Sequence, residues 1–224
     1  VQEMVDLAYQ AFDLADEYRT PVMLLADGML GQMMEPVVLP EPATEFPDKA
    51  WAVTGHHDKR EHNIVNSLHL KPEVLEETNI ERFERYDRIK ATAQRAEEYL
   101  TNDADIVVVA FGASSRIARS AVNKARAAGI KVGLVRPITL WPFPVDAIER
   151  ATSSAKAILV VEMNMGQMVD DVRLAVNGRL PVEFFGRAGG IIPTPAETLA
   201  AIERLAEKAS AMPETAEECA GGVR

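Results

Sequence analysis

The second half of the chain alternates two kinds of hydrophobic pattern. Ile106-Val107-Val108-Val109-Ala110-Phe111 is a short apolar run, rich in β-branched residues, that ends at Gly112. Lys131–Arg136, Ala157–Glu162 and Val182–Phe185 are three more such runs. Short, nearly continuous apolar runs read as strands covered on both faces, the habit of parallel sheets. Between them lie segments of helical period. One runs from about Ser115 to Ala128, where Gly129 offers the left-handed residue that closes a helix. Another starts at Pro144 and ends near Thr152, and a third runs from about Gln167 to Val176, with Asn177-Gly178 stopping it. Thr194-Pro195-Ala196-Glu197 is a capping box with proline at the first helical position, opening a last helix to about Lys208. Strand–helix alternation predicts an α/β fold over residues 103–206: a parallel sheet, right-handed crossovers and helices on both faces. Residues 207–224 are expected to be a disordered tail.

The first hundred residues are patterned differently. Val1, Met4, Val5, Ala8, Phe12 and Ala15 share one helical face. Pro21-Val22-Met23-Leu24-Leu25-Ala26 comes next and reads as a further buried strand. One helix and one strand cannot cover each other on both sides, so this opening needs further strands or a partner. Residues 1–38 are therefore expected to be the last piece of a larger domain, the chain being the C-terminal part of a longer protein; the other reading is an authentic start packed on the later domain. Pro36, Pro40, Pro42 and Pro47 make the next segment an extended connector. From Lys71 to Leu100, Ile80, Phe83, Tyr86, Ile89, Ala93, Ala96 and Leu100 mark one amphipathic helical stripe, so 39–102 reads as linker plus helix.

Composition narrows the function classes. The 224 residues carry 24 Lys and Arg against 34 Asp and Glu, a net charge of −10. An acidic chain with no basic block is a poor partner for nucleic acid or an anionic membrane. No apolar run approaches the roughly 20 residues that span a bilayer. The single cysteine, Cys219, excludes an internal disulfide and an iron–sulfur cluster held by this chain alone, and it suggests a reducing, cytoplasmic setting.

Ligands of parallel sheets gather at the carboxyl ends of the strands, where helix N-termini point. Four loops qualify. Gly112-Ala113-Ser114-Ser115 could hold an anion on its backbone, but it matches neither the dinucleotide fingerprint nor the P-loop, and a plain N-cap by Ser114 or Ser115 explains it. Arg136-Pro137-Ile138-Thr139-Leu140-Trp141-Pro142-Phe143-Pro144 is a proline-stiffened aromatic loop, suited to an interface or to covering its own sheet. Glu162-Met163-Asn164-Met165-Gly166-Gln167-Met168 places Asn164, Gly166 and Gln167 among three methionines at a helix start. In Gly186-Arg187-Ala188-Gly189-Gly190, Arg187 either clamps an anion or pairs with a nearby acid. The third loop has an echo in Asp27-Gly28-Met29-Leu30-Gly31-Gln32-Met33: an acid, then Gly-Gln-Met four positions on. His56, His57 and His62 crowd one polar loop, but their spacing fits no metal motif. No nucleophile–base pair can be named, so no catalytic residue and no metal site are assigned.

Five blocks in order then carry a resemblance: Asp27 to Pro36 (DGMLGQMMEP), Arg60-Glu61-His62-Asn63, Gly133 to Pro144 (GLVRPITLWPFP), Val161 to Met168 (VEMNMGQM), and Gly186-Arg187-Ala188-Gly189-Gly190. Together they resemble the alpha subunit of 2-oxoacid:ferredoxin oxidoreductases, nearest to the 2-ketoisovalerate and 2-oxoglutarate branch, over nearly the whole chain. The resemblance implies an enzyme that decarboxylates a 2-oxoacid on thiamine diphosphate with Mg, passes electrons through iron–sulfur clusters on other subunits to ferredoxin, and delivers the acyl group to coenzyme A. It implies a beta subunit and an iron–sulfur subunit as partners, and an oligomer. It makes 103–206 a transketolase C-terminal-like domain and 1–38 the end of a pyrimidine-binding-type domain. Gly31, Gln32, Asn164, Gly166, Gln167 and Arg187 are the expected cofactor contacts. The family's Tyr-Pro-Ile-Thr-Pro-type segment and the glutamate after it are not in these 224 residues, so the chain is expected to be inactive alone, with no cofactor held by it unaided. The competing readings are a transketolase-type or E1-beta-like thiamine enzyme domain and a stand-alone dimerisation or binding module.

Overall fold

The computed structural model describes residues 1–211 apart from 47, 57 and 58. The chain falls into two units, Val1–Thr92 and Ala93–Arg224.

The second unit is the expected α/β layer. Its strands are β1 (Ala96–Tyr99), β2 (Ile106–Val109), β3 (Val132–Pro137), β4 (Ala157–Glu162) and β5 (Val182–Gly186). They lie in the order β1-β3-β2-β4-β5. The four later strands are parallel, with Val108 level with both Leu134 and Leu159. Alternate side chains divide cleanly. Ile106, Val108, Leu134 and Leu159 pack with the helices α3 (Gly112–Ala127) and α6 (Pro195–Ala211). Val107, Val109, Val135, Ile158 and Val160 pack with α4 (Val145–Ala151) and α5 (Met168–Val176). Each fully buried Val or Ile contributes about 1.5–3 kcal/mol, which is why the run 106–109 is apolar throughout rather than alternating.

Strand β1 departs from expectation. The helical stripe reaches Leu100 by its pattern, but the helix α2 (Pro72–Thr92) stops at Thr92, and Ala96–Tyr99 pairs antiparallel with β3. The sheet is thus mixed at one edge. Glu-Glu in the middle of a strand carries no apolar period; cross-strand and helix cations hold it instead. Glu97 accepts from Arg136 Nε and Arg119 Nη1, both at 2.8 Å, and Glu98 from Arg150 Nη2 at 2.8 Å. Burial pushes the Glu97 carboxyl up, but the Arg136 and Arg119 guanidiniums outweigh it and hold the group below its ordinary value. Leu100 turns the chain with φ at 54°, in the left-handed region that few side chains adopt. Arg126 secures that turn, donating to the Leu100 and Val132 carbonyls and to both Asp103 oxygens.

Two helix ends also differ from the sequence pattern. Helix α3 begins at Gly112, so Ser114 and Ser115 lie inside its first turn, both 3% exposed, and neither is the N-cap; Ser115 Oγ donates to the Gly112 carbonyl at 2.7 Å. Helix α6 continues to Ala211, so 207–211 are helical; the rest of the expected tail lies outside the described residues.

The first unit holds α1 (Gln2–Tyr18), a 3-10 turn at Leu30–Gln32, and α2. The strand expected at 21–26 is not formed. Those residues run without a ladder partner, and Met23 and Leu25 are 80% and 64% exposed. A strand exists only through its neighbour's N–H and C=O groups, and no described residue of 1–92 is in a strand. Tyr18 and Ile89 are the buried hydrophobic side chains among the described residues of this unit. Tyr18 also shares a hydrogen bond of 2.8 Å with Thr92 Oγ1.

Gly133 in β3 lies against backbone: a Cβ there would sit 2.7 Å from the Leu100 carbonyl oxygen and 2.9 Å from Thr101 Cα. Gly133→Ala is expected to destabilise the sheet by about 1–3 kcal/mol, read as a lower midpoint in urea unfolding; an unchanged midpoint would show that the β1 turn yields freely.

Candidate functional site

The chain leaves β2 toward β3 on one side and returns past β2 to β4 on the other. That reversal places the switch point of the sheet between the carboxyl ends of β2 and β4, where open α/β sheets bind ligands. Two helix N-termini meet this edge from those strands, and they are built differently.

The N-terminus of α5 is already occupied by an acid of its own chain. Glu162, the last residue of β4, is 1% exposed. Its carboxylate accepts from the backbone N–H of Met168 at 2.9 Å, Val169 at 3.0 Å and Gln167 at 3.2 Å. Asn164 Nδ2 donates to it at 3.0 Å, and Asn164 Oδ1 in turn accepts from Gly166 N–H at 2.7 Å. A buried charge is tolerable only when paired or hydrogen-bonded in this way, and the helix dipole favours an anion here. Gly166 sits at φ 104°, and a Cβ there would press on Val169 Cγ1 at 3.2 Å. Gly186 of β5 closes the loop from below: a Cβ would stand 2.5 Å from the Asn164 carbonyl oxygen and collide with the Phe184 ring. Glycine is required at both places, by conformation at one and by contact at the other. The loop is thus fixed, and it holds Met165 84% exposed. The first turn of α5 adds Asp170 and Asp171. Burial raises the Asp171 carboxyl above its ordinary value, and the neighbouring Asp170 and Glu162 charges add to that.

Helix α3 has Phe111 at its N-cap and no side-chain cap. No carboxylate among the described residues caps it as Glu162 caps α5.

Arg187, after β5, takes the second of its two sequence readings: its Nη2 donates to Glu197 Oε1. Glu197 is also the acid of the capping box. Its Oε2 accepts from Thr194 N–H at 2.9 Å, and its own N–H donates to Thr194 Oγ1 at 3.2 Å. The Thr194 backbone N–H, then Arg187 and the Thr194 hydroxyl, hold the Glu197 carboxyl below its ordinary value. Arg187 N–H also donates to the Glu162 carbonyl at 3.2 Å, so the loops after β4 and β5 are tied.

Of the six residues expected at a site, the structure groups Asn164, Gly166, Gln167 and Arg187 at one edge of the sheet. Gly31 and Gln32 belong to the first unit, in the 3-10 turn, and both are exposed. The echo between the two loops has a physical basis: Asp27 Oδ1 accepts from Leu30 N–H at 2.7 Å, so in each loop an acid caps the turn that comes after it. Glu162 organises the loop, yet the sequence reading places no role on it; the acid repeated in the two loops is the signal that points to it. His56 and His62 stack with ring centroids 3.9 Å apart, while His57 lies outside the described residues. Among the described residues no three His, Cys, Asp or Glu side chains are grouped to hold a metal ion, and no helix is long and apolar enough to cross a membrane.

Because the Glu197 carboxyl is depressed in the fold, the stability it contributes is present above its ordinary value, near about 4.3, and is lost as pH falls through the depressed one. Glu197→Gln is expected to flatten the acid limb of a stability–pH curve below about pH 4.3, and Thr194→Ala to cost about 0.5–2 kcal/mol at neutral pH in denaturant melts; equal acid limbs in variant and parent would refute the first.

Residues 1–99 match the family model described as "Pyruvate flavodoxin/ferredoxin oxidoreductase, thiamine diP-bdg", and residues 104–198 the one described as "Pyruvate:ferredoxin oxidoreductase core domain II". A ketoisovalerate oxidoreductase subunit VorB of Methanothermobacter thermautotrophicus is 48% identical over 94% of this chain and 59% of its own length. A 2-oxoglutarate synthase subunit KorA of Methanothermobacter marburgensis is 33% identical over 89% of this chain and 60% of its own. The chain therefore spans about three-fifths of the length of these curated relatives. The solved 2-oxoglutarate:ferredoxin oxidoreductase from Magnetococcus marinus superposes with a TM-score of 0.65, at 17% identity, over 87% of this chain and 39% of its own; that likeness speaks for the fold. With both domain types in order along it, the chain belongs to the 2-oxoacid:ferredoxin oxidoreductase family.

Proposed function

We propose that this chain is part of the alpha subunit of a thiamine-diphosphate-dependent oxidoreductase that converts a 2-oxoacid and coenzyme A to an acyl-CoA and CO2, with electrons passing to ferredoxin. The observation that carries the reading is the ordered match of both family models, over 1–99 and 104–198. The 48% identity to a ketoisovalerate oxidoreductase subunit favours a branched-chain 2-oxoacid as substrate. A beta subunit, an iron–sulfur subunit and a cytoplasmic setting belong to the same reading, as does the division into a pyrimidine-binding-type remnant at 1–38, a linker with helix at 39–102, and a transketolase C-terminal-like domain at 103–206.

The described residues do not form a thiamine diphosphate cradle on their own. No described residue of 1–92 lies in a strand that could shape a cleft, and no acidic or histidine cluster among the described residues stands ready for the Mg that a diphosphate needs. No reaction step is therefore assigned to a residue of this chain. Its part is to shape the assembled site: Gly31, Gln32 and Arg187 on the side of the cofactor cleft, and Asn164, Gly166 and Gln167 at the boundary with a neighbouring subunit. Arg187 is the cation of the set, though it must leave or share Glu197 to serve an anion.

The test is an assay of the complete oxidoreductase that contains this chain, supplied with thiamine diphosphate, Mg, coenzyme A and ferredoxin. Ketoisovalerate is expected to give a higher kcat/KM than pyruvate or 2-oxoglutarate, and the isolated 224-residue chain is expected to give no turnover. Turnover by the isolated chain, or strict dependence of the complete enzyme on a nicotinamide acceptor, would overturn the reading.

A further inference from the structure

The loops at the carboxyl edge of the sheet carry exposed apolar side chains. Trp141 after β3 is 54% exposed, Met165 after β4 84%, and Ile191 and Ile192 after β5 57% and 43%. Parallel strands put all three loops on one edge. The middle loop is held in place from beneath by the buried Glu162 carboxylate, which takes the N–H groups of Gln167, Met168 and Val169. Those are the donors a phosphate or carboxylate ligand would use at a helix N-terminus. With them taken, and with Glu162, Asp170 and Asp171 adding negative charge to the same turn, an anionic ligand is repelled here. What remains is a stiff, uncharged, apolar protrusion, which suits a protein surface: apolar side chains that are already ordered lose little entropy on docking.

We propose that this edge is a docking surface for an apolar face of another subunit of the same oxidoreductase, with Met165 as its central contact and Glu162 as the positioning residue that presents it. The identity of that occupant rests on the reading given under Proposed function; the exclusion of anionic ligands rests on the Glu162 hydrogen bonds alone.

The experiment uses the complete enzyme, assembled from the full-length chain and its companion subunits, diluted stepwise while its mass is followed by mass photometry. Met165→Glu is expected to raise the apparent dissociation constant at least roughly tenfold, in line with the loss of a central interface contact, and Glu162→Gln to do likewise while speeding amide exchange at Met168 and Val169. Leu174→Glu serves as the control. Leu174 is 78% exposed but lies further along α5, toward the amino edge of the sheet, and its variant should stay within about twofold of the parent. Should Glu162→Gln fail to fold, Met165→Glu decides alone. Equal dissociation constants for Met165→Glu and Leu174→Glu would overturn the proposal. So would slower exchange at Gln167, Met168 and Val169 on adding coenzyme A, which would make the loop a ligand site. An enzyme that assembles as described but reduces no ferredoxin with any 2-oxoacid would sink the proposed activity and leave the docking result standing.

Discussion

A parallel sheet has to be covered on both faces, because its strands are joined only by crossovers that lie over them. From that constraint most of the second unit is built. The alternate residues of β2 must be apolar on both sides, so Ile106 and Val108 meet α3 and α6 while Val107 and Val109 meet α4 and α5. Two helices on each face in turn require the chain to reverse direction once across the sheet. The reversal fixes the gap between β2 and β4, and with it the edge on which every loop of interest lies.

At that edge the decisive group is a charge in the interior. Glu162 stands where a buried strand meets the start of a helix, and the two problems solve each other. The carboxylate needs hydrogen bonds because water cannot reach it; the helix has N–H groups with no partner within the helix. Met168 and Val169 supply two of the bonds, and Asn164 and Gln167 complete the set. The result is a loop whose form is fixed before anything binds. It also changes what the loop can meet, since a helix end that has accepted an internal anion no longer attracts an external one.

The first unit lacks such a closed solution. Its apolar residues at 21–26 have the composition of a central strand but no strand beside them, and Met23 and Leu25 stand exposed as a consequence. This is the behaviour expected of a segment whose partners lie elsewhere, and it fits a chain that spans about three-fifths of its relatives' length. The same logic explains why the family, not any residue constellation within the described residues, identifies the chemistry.

The sequence by itself determined the elements whose pattern is set by burial on both faces: β2 to β5, their helices, the glycine stop at Gly129 with its φ of 88°, and the capping box at Thr194 and Glu197. It also carried the family, because five motifs in fixed order are a property of the chain rather than of its packing. It failed where an element depends on contacts distant in sequence. Ala96–Tyr99 is a strand because Arg136, Arg119 and Arg150 meet its two glutamates, and nothing local distinguishes it from the end of α2. The run 21–26 had strand composition and no ladder, for the opposite reason. Among the site residues, the sequence marked Asn164, Gly166, Gln167 and Arg187, but only the tertiary structure showed that Glu162 has already taken the helix end they surround and that Glu197 has taken Arg187. Hydrogen-bond partners brought together by folding decide which of a loop's groups are left to act, and no spacing along the chain reveals that.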